Sequence, residues 1–198
     1  MGTRNLVMVI YKKKTLVAQY GQFDGYPEYT GKFLLEFMLN KEKVDKLKNE
    51  LDGNVTLMSD KDAQRKFGED WRKHSFLNST LGCGILDEIC RGGTHFYLND
   101  STPFARDSLF CEWGWVVNLD NMSLEVYEGY NKLPLVKGER FYRYNRYHTN
   151  TEFKPIKYLM TIFDVVVKPG ESIQGYIAKT INAIRTVSDL KKKANYSL

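Results

Sequence analysis

Residues 2–31, GTRNLVMVIYKKKTLVAQYGQFDGYPEYTG, decide the fold class of this chain. Both alternating faces of residues 6–11 are apolar, which predicts a strand that is covered on both sides of its sheet. Residues 16–20 return beside that strand after a lysine-rich turn. A loop at residues 22–26 then leads to a helix that begins at Pro27, a residue suited to the first helical position. A strand pair that runs directly into a loop and a helix indicates a protein with both sheet and helix.

Outward from this segment, the sequence predicts further helices and strands. Helices are expected at residues 41–51, 60–73 and 78–90 and from residue 172 onward, with Ser172 as the cap of the last one. Strands are expected at residues 55–58, 94–98, 113–120, 124–128 and 157–167. We therefore predict a single α+β domain over residues 1–198, with a mostly antiparallel sheet layered against helices.

Composition narrows the class of protein. The 198 residues are 42% hydrophobic and 27% charged, as in a soluble globular chain, and the 14% aromatic share predicts tyrosines at the surface, where interfaces and ligand sites lie. The longest apolar runs are too short to span a membrane, and no signal peptide pattern precedes them. Three cysteines without a C-x-x-C pair fit a reducing compartment. We expect a cytoplasmic protein with no membrane partner, and the net charge of +5 favours anionic partners only mildly.

The sequence contains no complete motif for a metal, a nucleotide or a catalytic triad. His74, His95 and His148 lack other ligand residues at metal-binding spacing, and the short glycine pairs lack the framework of a phosphate-binding loop. We therefore predict no metal and no cofactor. A nucleophilic pair of Cys111 with His95 or His148 is the remaining cysteine-based alternative.

The loop at residues 22–26 is the first candidate site, because it concentrates an amide, a carboxylate and a phenol between glycines. An aspartate beside glycine where a strand meets a helix can bind a cation, orient a base or cap the helix, and ordinary turn chemistry is the alternative interpretation. If the hairpin register brings the N-terminus alongside, the loop faces Thr3 and Arg4. The predicted loop site consists of Arg4, Gln22, Asp24 and Tyr26.

Residues 140–148, RFYRYNRYH, are the second candidate site. Basic and aromatic side chains interleave in this segment, as they do where proteins grip nucleic-acid backbones and stack bases. Arginine and tyrosine are equally favoured anchors of protein interfaces, and an extended strand with arginines lying over tyrosine rings is a third interpretation. We prefer the protein interface. The predicted binding residues are Arg140, Tyr142, Arg143, Tyr144, Arg146 and Tyr147.

Three runs carry a resemblance to a known family: GTRNL at residues 2–6, VAQYGQFDGYP at residues 17–27 and CEWGWVVNLD at residues 111–120. Together they resemble an uncharacterised family that is common in Firmicutes phages and prophages and has fungal relatives. Phe23 stands where that family more often has tryptophan. The resemblance implies a phage or mobile-element origin and implies no activity, because the family has no assigned one.

We therefore expect a binding protein that inhibits host defence machinery, such as a CRISPR effector or a nucleotide-signalling system. Its partner would be a host defence protein or ribonucleoprotein in the cytoplasm of the host cell. A direct nucleic-acid-binding protein is one alternative. Another is an amide hydrolase with the fold and chemistry of the N-terminal-nucleophile class, in which Thr3 and Asp24 are the candidate catalytic residues. Removal of Met1 would leave Gly2 at the terminus, so Thr3 would lack the free amine, and we prefer a non-enzymatic role.

Overall fold

The computed structural model describes residues 2–74, 76–77, 79–147 and 152–196, with the backbone alone at residues 147 and 194–196. The strands within these ranges are β1 (Asn5–Tyr11), β2 (Lys14–Gly21), β3 (Val55–Met58), β4 (Phe96–Asn99), β5 (Trp113–Asn118), β6 (Ser123–Glu128) and β7 (Lys157–Ile162). The α-helices there are α1 (Lys32–Leu39), α2 (Lys41–Leu51), α3 (Asp60–Phe67), α4 (Ile85–Arg91) and α5 (Ile173–Tyr196). The predicted single-domain α+β fold is confirmed.

The main sheet has five strands in the order β2-β1-β5-β6-β7. β1 pairs antiparallel with β2 and parallel with β5, and β6 pairs antiparallel with both β5 and β7. The sheet is therefore mostly antiparallel, as predicted. β3 and β4 form a separate two-stranded sheet whose strands run parallel.

The two faces of the main sheet are covered in different ways. Val7 and Val9 of β1 face a core that contains residues of α1, α2, α4 and α5. Leu6, Met8 and Ile10 face a second core. Residues from 104–111, 135–144 and 156, which lie outside the strands and α-helices, cover this core. Every residue of β1 from position 5 to position 10 is buried, which confirms the prediction of a strand covered on both sides.

Polar side chains cap the N-termini of three helices. Asn40 accepts a hydrogen bond from the Lys43 N–H at the start of α2, and Ser59 does the same for Asp62 at the start of α3. The Ser172 hydroxyl accepts from the N–H of Gly175 at 3.0 Å, so the predicted cap of α5 is confirmed. Residues Pro27–Gly31 form a π-helical turn that continues into α1.

The largest differences in extent from the sequence prediction concern three elements. α3 ends before Gly68, whose φ of +73° breaks the helix predicted over residues 60–73, and the 3-10 turn Glu69–Lys73 follows. The helix predicted over residues 78–90 is instead the 3-10 turn Gly82–Gly84 followed by α4. β7 stops at Ile162, short of the predicted residue 167, because Asp164 turns the chain with a φ of +47°. No helix in the described ranges is long and apolar enough to cross a membrane.

Candidate functional site

One end of the main sheet brings the N-terminus and the loop at residues 22–26 together. β1 begins there, β2 ends there and β5 begins there, since the registers pair Asn5 with both Gly21 and Trp113. The N–H of Gly25 donates to the carbonyl of Thr3 at 2.9 Å. The hairpin register therefore places the N-terminal residues alongside the loop, which is the condition that the predicted loop site required.

Buried side chains hold the loop in one conformation. The carbonyls of residues 23–25 accept hydrogen bonds from Asn5 Nδ2 at 3.1 Å, Thr30 Oγ1 at 2.7 Å and Trp115 Nε1 at 2.9 Å. All three donor residues are at most 1% exposed. Asp24 is held with a φ of +54°, a conformation that aspartate tolerates better than most residues. The loop is thus fixed from below by the core, and its side chains are presented on a rigid support.

Asn5 makes this support compact, because glycines allow the backbone to pack directly on its side chain. A Cβ on Gly21 would lie 2.6 Å from Asn5 Nδ2, and one on Gly25 would lie 2.6 Å from Asn5 Cβ. Both distances are shorter than a normal contact, so a larger residue at either position would displace the asparagine. These glycines serve close packing under the loop.

The predicted loop-site side chains each have a different neighbour. Gln22 Oε1 accepts a hydrogen bond from the Tyr20 hydroxyl, and the Tyr26 ring lies 6.5 Å from the ring of Tyr29. The Asp24 carboxylate is half-buried and hydrogen-bonds to none of the described residues. The side chains of the loop therefore do not converge on one point, and the predicted cation or base function gains no second group from them.

Arg4 joins the loop to a second set of aromatic residues. Its guanidinium lies 4.8 Å from the centre of the Phe110 ring and its Nε lies 3.9 Å from Glu112 Oε1. The other carboxylate oxygen of Glu112 accepts a hydrogen bond from the Tyr130 hydroxyl at 3.2 Å. Arg4 therefore belongs to a surface that continues past the loop toward the start of β5.

Large apolar side chains are exposed around this end of the sheet. We call the set the sheet-end surface, and it consists of Phe23, Tyr29, Leu81, Phe110 and Tyr130. Their exposed fractions lie between 46% for Phe110 and 64% for Phe23. Exposed apolar residues that cluster in this way mark interaction sites on soluble proteins. Sequence reasoning predicted none of these five as binding residues. Leu81 lies in a segment predicted as a helix, and the exposure of Phe110 and Tyr130 depends on segments that are distant in sequence.

The described part of the second candidate site, residues 140–147, is not extended. Residues Tyr142–Tyr147 form a 3-10 helix, so the interpretation of this segment as an extended strand is wrong for these residues. Asn145 explains the turn, because its side chain accepts from the N–H of Leu135 at 3.1 Å and donates to the carbonyl of Leu135 at 2.7 Å. These two hydrogen bonds hold the segment against Leu135, ten residues earlier in the sequence.

Two of the predicted binding residues of this segment are used within the fold. Arg140 donates to both carboxylate oxygens of Glu125, at 2.9 and 2.5 Å, and to the hydroxyl of Tyr127 at 3.3 Å. Burial, together with the hydrogen bond to Glu125, raises the pKa of Tyr127 well above its ordinary range, so its hydroxyl stays protonated as a donor. Tyr144 is buried in the second core. Arg140 and Tyr144 therefore stabilise the domain.

The other predicted residues of the segment differ in their exposure. Arg143 is exposed and lies over the Tyr144 ring at 4.9 Å, which agrees with the interpretation of arginines covering tyrosines. Arg146 is exposed and Tyr142 is half-buried, whereas the Tyr147 side chain lies outside the described residues. Arg143, Arg146 and Tyr142 are the part of this predicted site that a partner can reach.

The cysteine and histidine groups do not form a nucleophilic pair where they are described. Cys111 is fully buried, and burial raises its pKa well above the ordinary value, so the thiol is held in its unreactive protonated form. His95 hydrogen-bonds through Nε2 to Thr56 Oγ1 at 2.8 Å, and His148 lies outside the described residues. Within the part of the chain that the structure describes, no group of three acidic, histidine or cysteine side chains is placed to hold a metal.

No family model, no curated protein and no solved structure matches this chain. The resemblance to the phage family therefore stays a prediction from the three sequence runs, and the sheet-end surface is interpreted from its own geometry.

Proposed function

We propose that this chain is a binding protein of a phage or mobile element, which inhibits host defence machinery by occupying a defence protein or ribonucleoprotein in the host cytoplasm. The observation that supports binding is the sheet-end surface, whose five large side chains are exposed at one end of the main sheet, with Phe23 on the rigid loop. Aromatic residues are enriched at the centres of protein interfaces. The phage origin rests on the sequence resemblance of residues 2–6, 17–27 and 111–120.

Rigidity favours binding at this surface over the segment around Arg143. The three hydrogen bonds from Asn5, Thr30 and Trp115 fix the loop before a partner arrives, so little conformational entropy is lost when Phe23 is buried. Arg4 adds a cation that is already positioned against Phe110. Such preorganised aromatic and arginine side chains are typical of residues that dominate binding energy.

The test is co-purification of the tagged protein from a host that encodes several defence systems. In the variant Phe23→Ala/Phe110→Ala we expect the partner's affinity to fall by roughly a hundredfold, since each truncated anchor typically costs about 1–2 kcal/mol. Phe163→Ala is the matched control, because this phenylalanine is 69% exposed, close to the 64% of Phe23, and lies beyond β7. The control should bind as the unmodified protein does.

Two results would contradict the proposal. One is a partner that is recovered equally with the double variant and with the control, which would place the interface elsewhere. The other is recovery of nucleic acid alone, with an affinity that falls steeply as salt is raised, which would support the nucleic-acid alternative through exposed cations such as Arg143 and Arg146.

A further inference from the structure

Arg4 brings a cation to the sheet-end surface beside two of its exposed rings. The guanidinium carbon lies 4.8 Å from the centre of the Phe110 ring. Its Nε lies 3.9 Å from Glu112 Oε1, and the other oxygen of that carboxylate accepts a hydrogen bond from the Tyr130 hydroxyl at 3.2 Å. Phe110 is 46% exposed and Tyr130 is 50% exposed. A partner that packs on these two rings therefore also meets the cation.

The hydrogen-bond donors of the Arg4 side chain have no acceptor among the described residues. A guanidinium carries five N–H donors, and the 3.9 Å that separates Nε from Glu112 is too long for a hydrogen bond. Glu112 Oε1 instead accepts from the backbone N–H of Arg4 at 3.2 Å. The Arg4 side chain is 22% exposed, so a partner that covers this end of the sheet would bury the remaining part.

Backbone hydrogen bonds hold the residues around Arg4 in place. The N–H of Glu112 donates to the carbonyl of Arg4 at 3.1 Å, and the N–H of Gly129 donates to the carbonyl of Glu112 at 2.8 Å. The N–H of Tyr130 donates to the carbonyl of Ser108 at 2.8 Å. The three segments that carry the cation and the two rings are thus joined before a partner binds, which keeps the entropy cost of binding low.

A partner on this surface has to supply acceptors for Arg4. Buried donors of a charged group are unfavourable without acceptors, and a carboxylate pairs with a guanidinium through two parallel hydrogen bonds. The Glu112 carboxylate beside the guanidinium repels the closely spaced charges of a nucleic-acid backbone more than it repels one carboxylate. The exposed rings of Phe110 and Tyr130 also favour apolar neighbours, which a phosphate backbone lacks. An acidic side chain of a protein is the better match.

We propose that Arg4 binds the carboxylate of an aspartate or glutamate in a partner protein, with apolar side chains of the same segment packed on Phe110 and Tyr130. The assignment rests on the binding role proposed above for the sheet-end surface and names the chemistry of its partner. The guanidinium edge donates to the carboxylate, and Phe110 supports the guanidinium face.

The test selects peptides from a displayed library of random sequences on the immobilised full chain. We expect the selected peptides to carry an acidic residue beside apolar ones. Replacing that acid by its amide should weaken binding to the unmodified protein by about tenfold or more, the usual effect of losing hydrogen bonds between charged groups. Arg4→Gln should weaken the acidic peptide by a similar factor and leave the affinity of the amide peptide unchanged.

Arg143→Gln is the matched control, because the Arg143 guanidinium also lies over a ring, 4.9 Å from the centre of Tyr144. It should change neither affinity. The thermal unfolding midpoint verifies that Arg4→Gln folds. The exchange of acid for amide uses the unmodified protein, so it tests the assignment even if this variant does not fold.

Three results would overturn the assignment while leaving the binding surface in place. They are selected peptides that lose affinity for Phe23→Ala/Phe110→Ala but carry no acidic residue, an exchange of acid for amide without effect, and Arg4-dependent binding of a random-sequence RNA in place of an acidic peptide. Peptides that bind Phe23→Ala/Phe110→Ala as tightly as the unmodified protein would contradict the proposed binding surface, and the assignment with it.

Discussion

The hydrogen bond from the Trp115 indole to the Gly25 carbonyl is expected to contribute measurably to stability, and Trp115→Phe tests it. Trp115 is fully buried and the bond is 2.9 Å long. Phenylalanine would leave the carbonyl of Gly25 buried without a donor, at a cost of about 1–3 kcal/mol. The smaller ring would add roughly 1 kcal/mol for the space it leaves. We expect the free energy of unfolding to fall by about 2–4 kcal/mol in total.

The assay is urea unfolding followed by far-UV circular dichroism, with Trp113→Phe as the control. Trp113 stacks on Trp115 with ring centres 5.7 Å apart and is only 6% exposed, but its indole N–H donates to none of the described residues. Both variants lose the same atoms, so the difference between them isolates the hydrogen bond to the loop. If Trp115→Phe costs no more than Trp113→Phe at equal m-value, the indole does not anchor the loop.

Two further predictions concern the second candidate segment and the buried thiol. Arg140→Ala should lower the free energy of unfolding by about 1–3 kcal/mol, because Glu125 is only 16% exposed and would lose its bidentate partner, whereas Arg143→Ala should change it by less than about 0.5 kcal/mol. Urea unfolding of the two variants measures this, and equal effects would refute it. Burial raises the pKa of the Cys83 thiol to about 11, so its contribution to stability is complete below pH 9.0 and is lost as the pH rises toward 11. Mass spectrometry after iodoacetamide treatment at about pH 8 should find Cys83 alkylated far more slowly in the native protein than in urea, and fast native alkylation would contradict this.

Local signals in the sequence were enough for the framework of the fold. The apolar character of both faces in residues 6–11 predicts an interior strand, and β1 lies between β2 and β5. The serine at position 172 predicts the start of α5, because a cap is decided by residues within one turn. The contact between the loop at residues 22–26 and the N-terminal residues also follows from the register of the β1–β2 hairpin. The sequence signals for these features lie within short windows of the chain, even where, as for β5, the partner strand is distant.

The remaining features depend on contacts between segments that are far apart in the sequence, and no local pattern encodes such contacts. The alternation of arginine and tyrosine at residues 140–147 fits a strand as well as a turn, and the hydrogen bonds of Asn145 to Leu135 select the turn. Phe110 becomes part of a surface only because β5 pairs with β1 and brings it beside Arg4. A pocket beside the end of β4 is likewise lined by residues from four separate segments of the chain, among them Tyr20, Asp60, Phe76 and Phe104.

The parallel pairing of β1 with β5 governs the order in which the protein can assemble during synthesis. Arg4 and Glu112, which lie at the start of this pairing, are 108 positions apart. The first hairpin therefore leaves the ribosome with both apolar faces uncovered and with one strand edge open until β5 has been made. Non-local parallel pairing of this kind is slow to form, and an open edge can recruit a strand from another nascent chain. We therefore expect the first twenty residues to need protection until β5 has been translated.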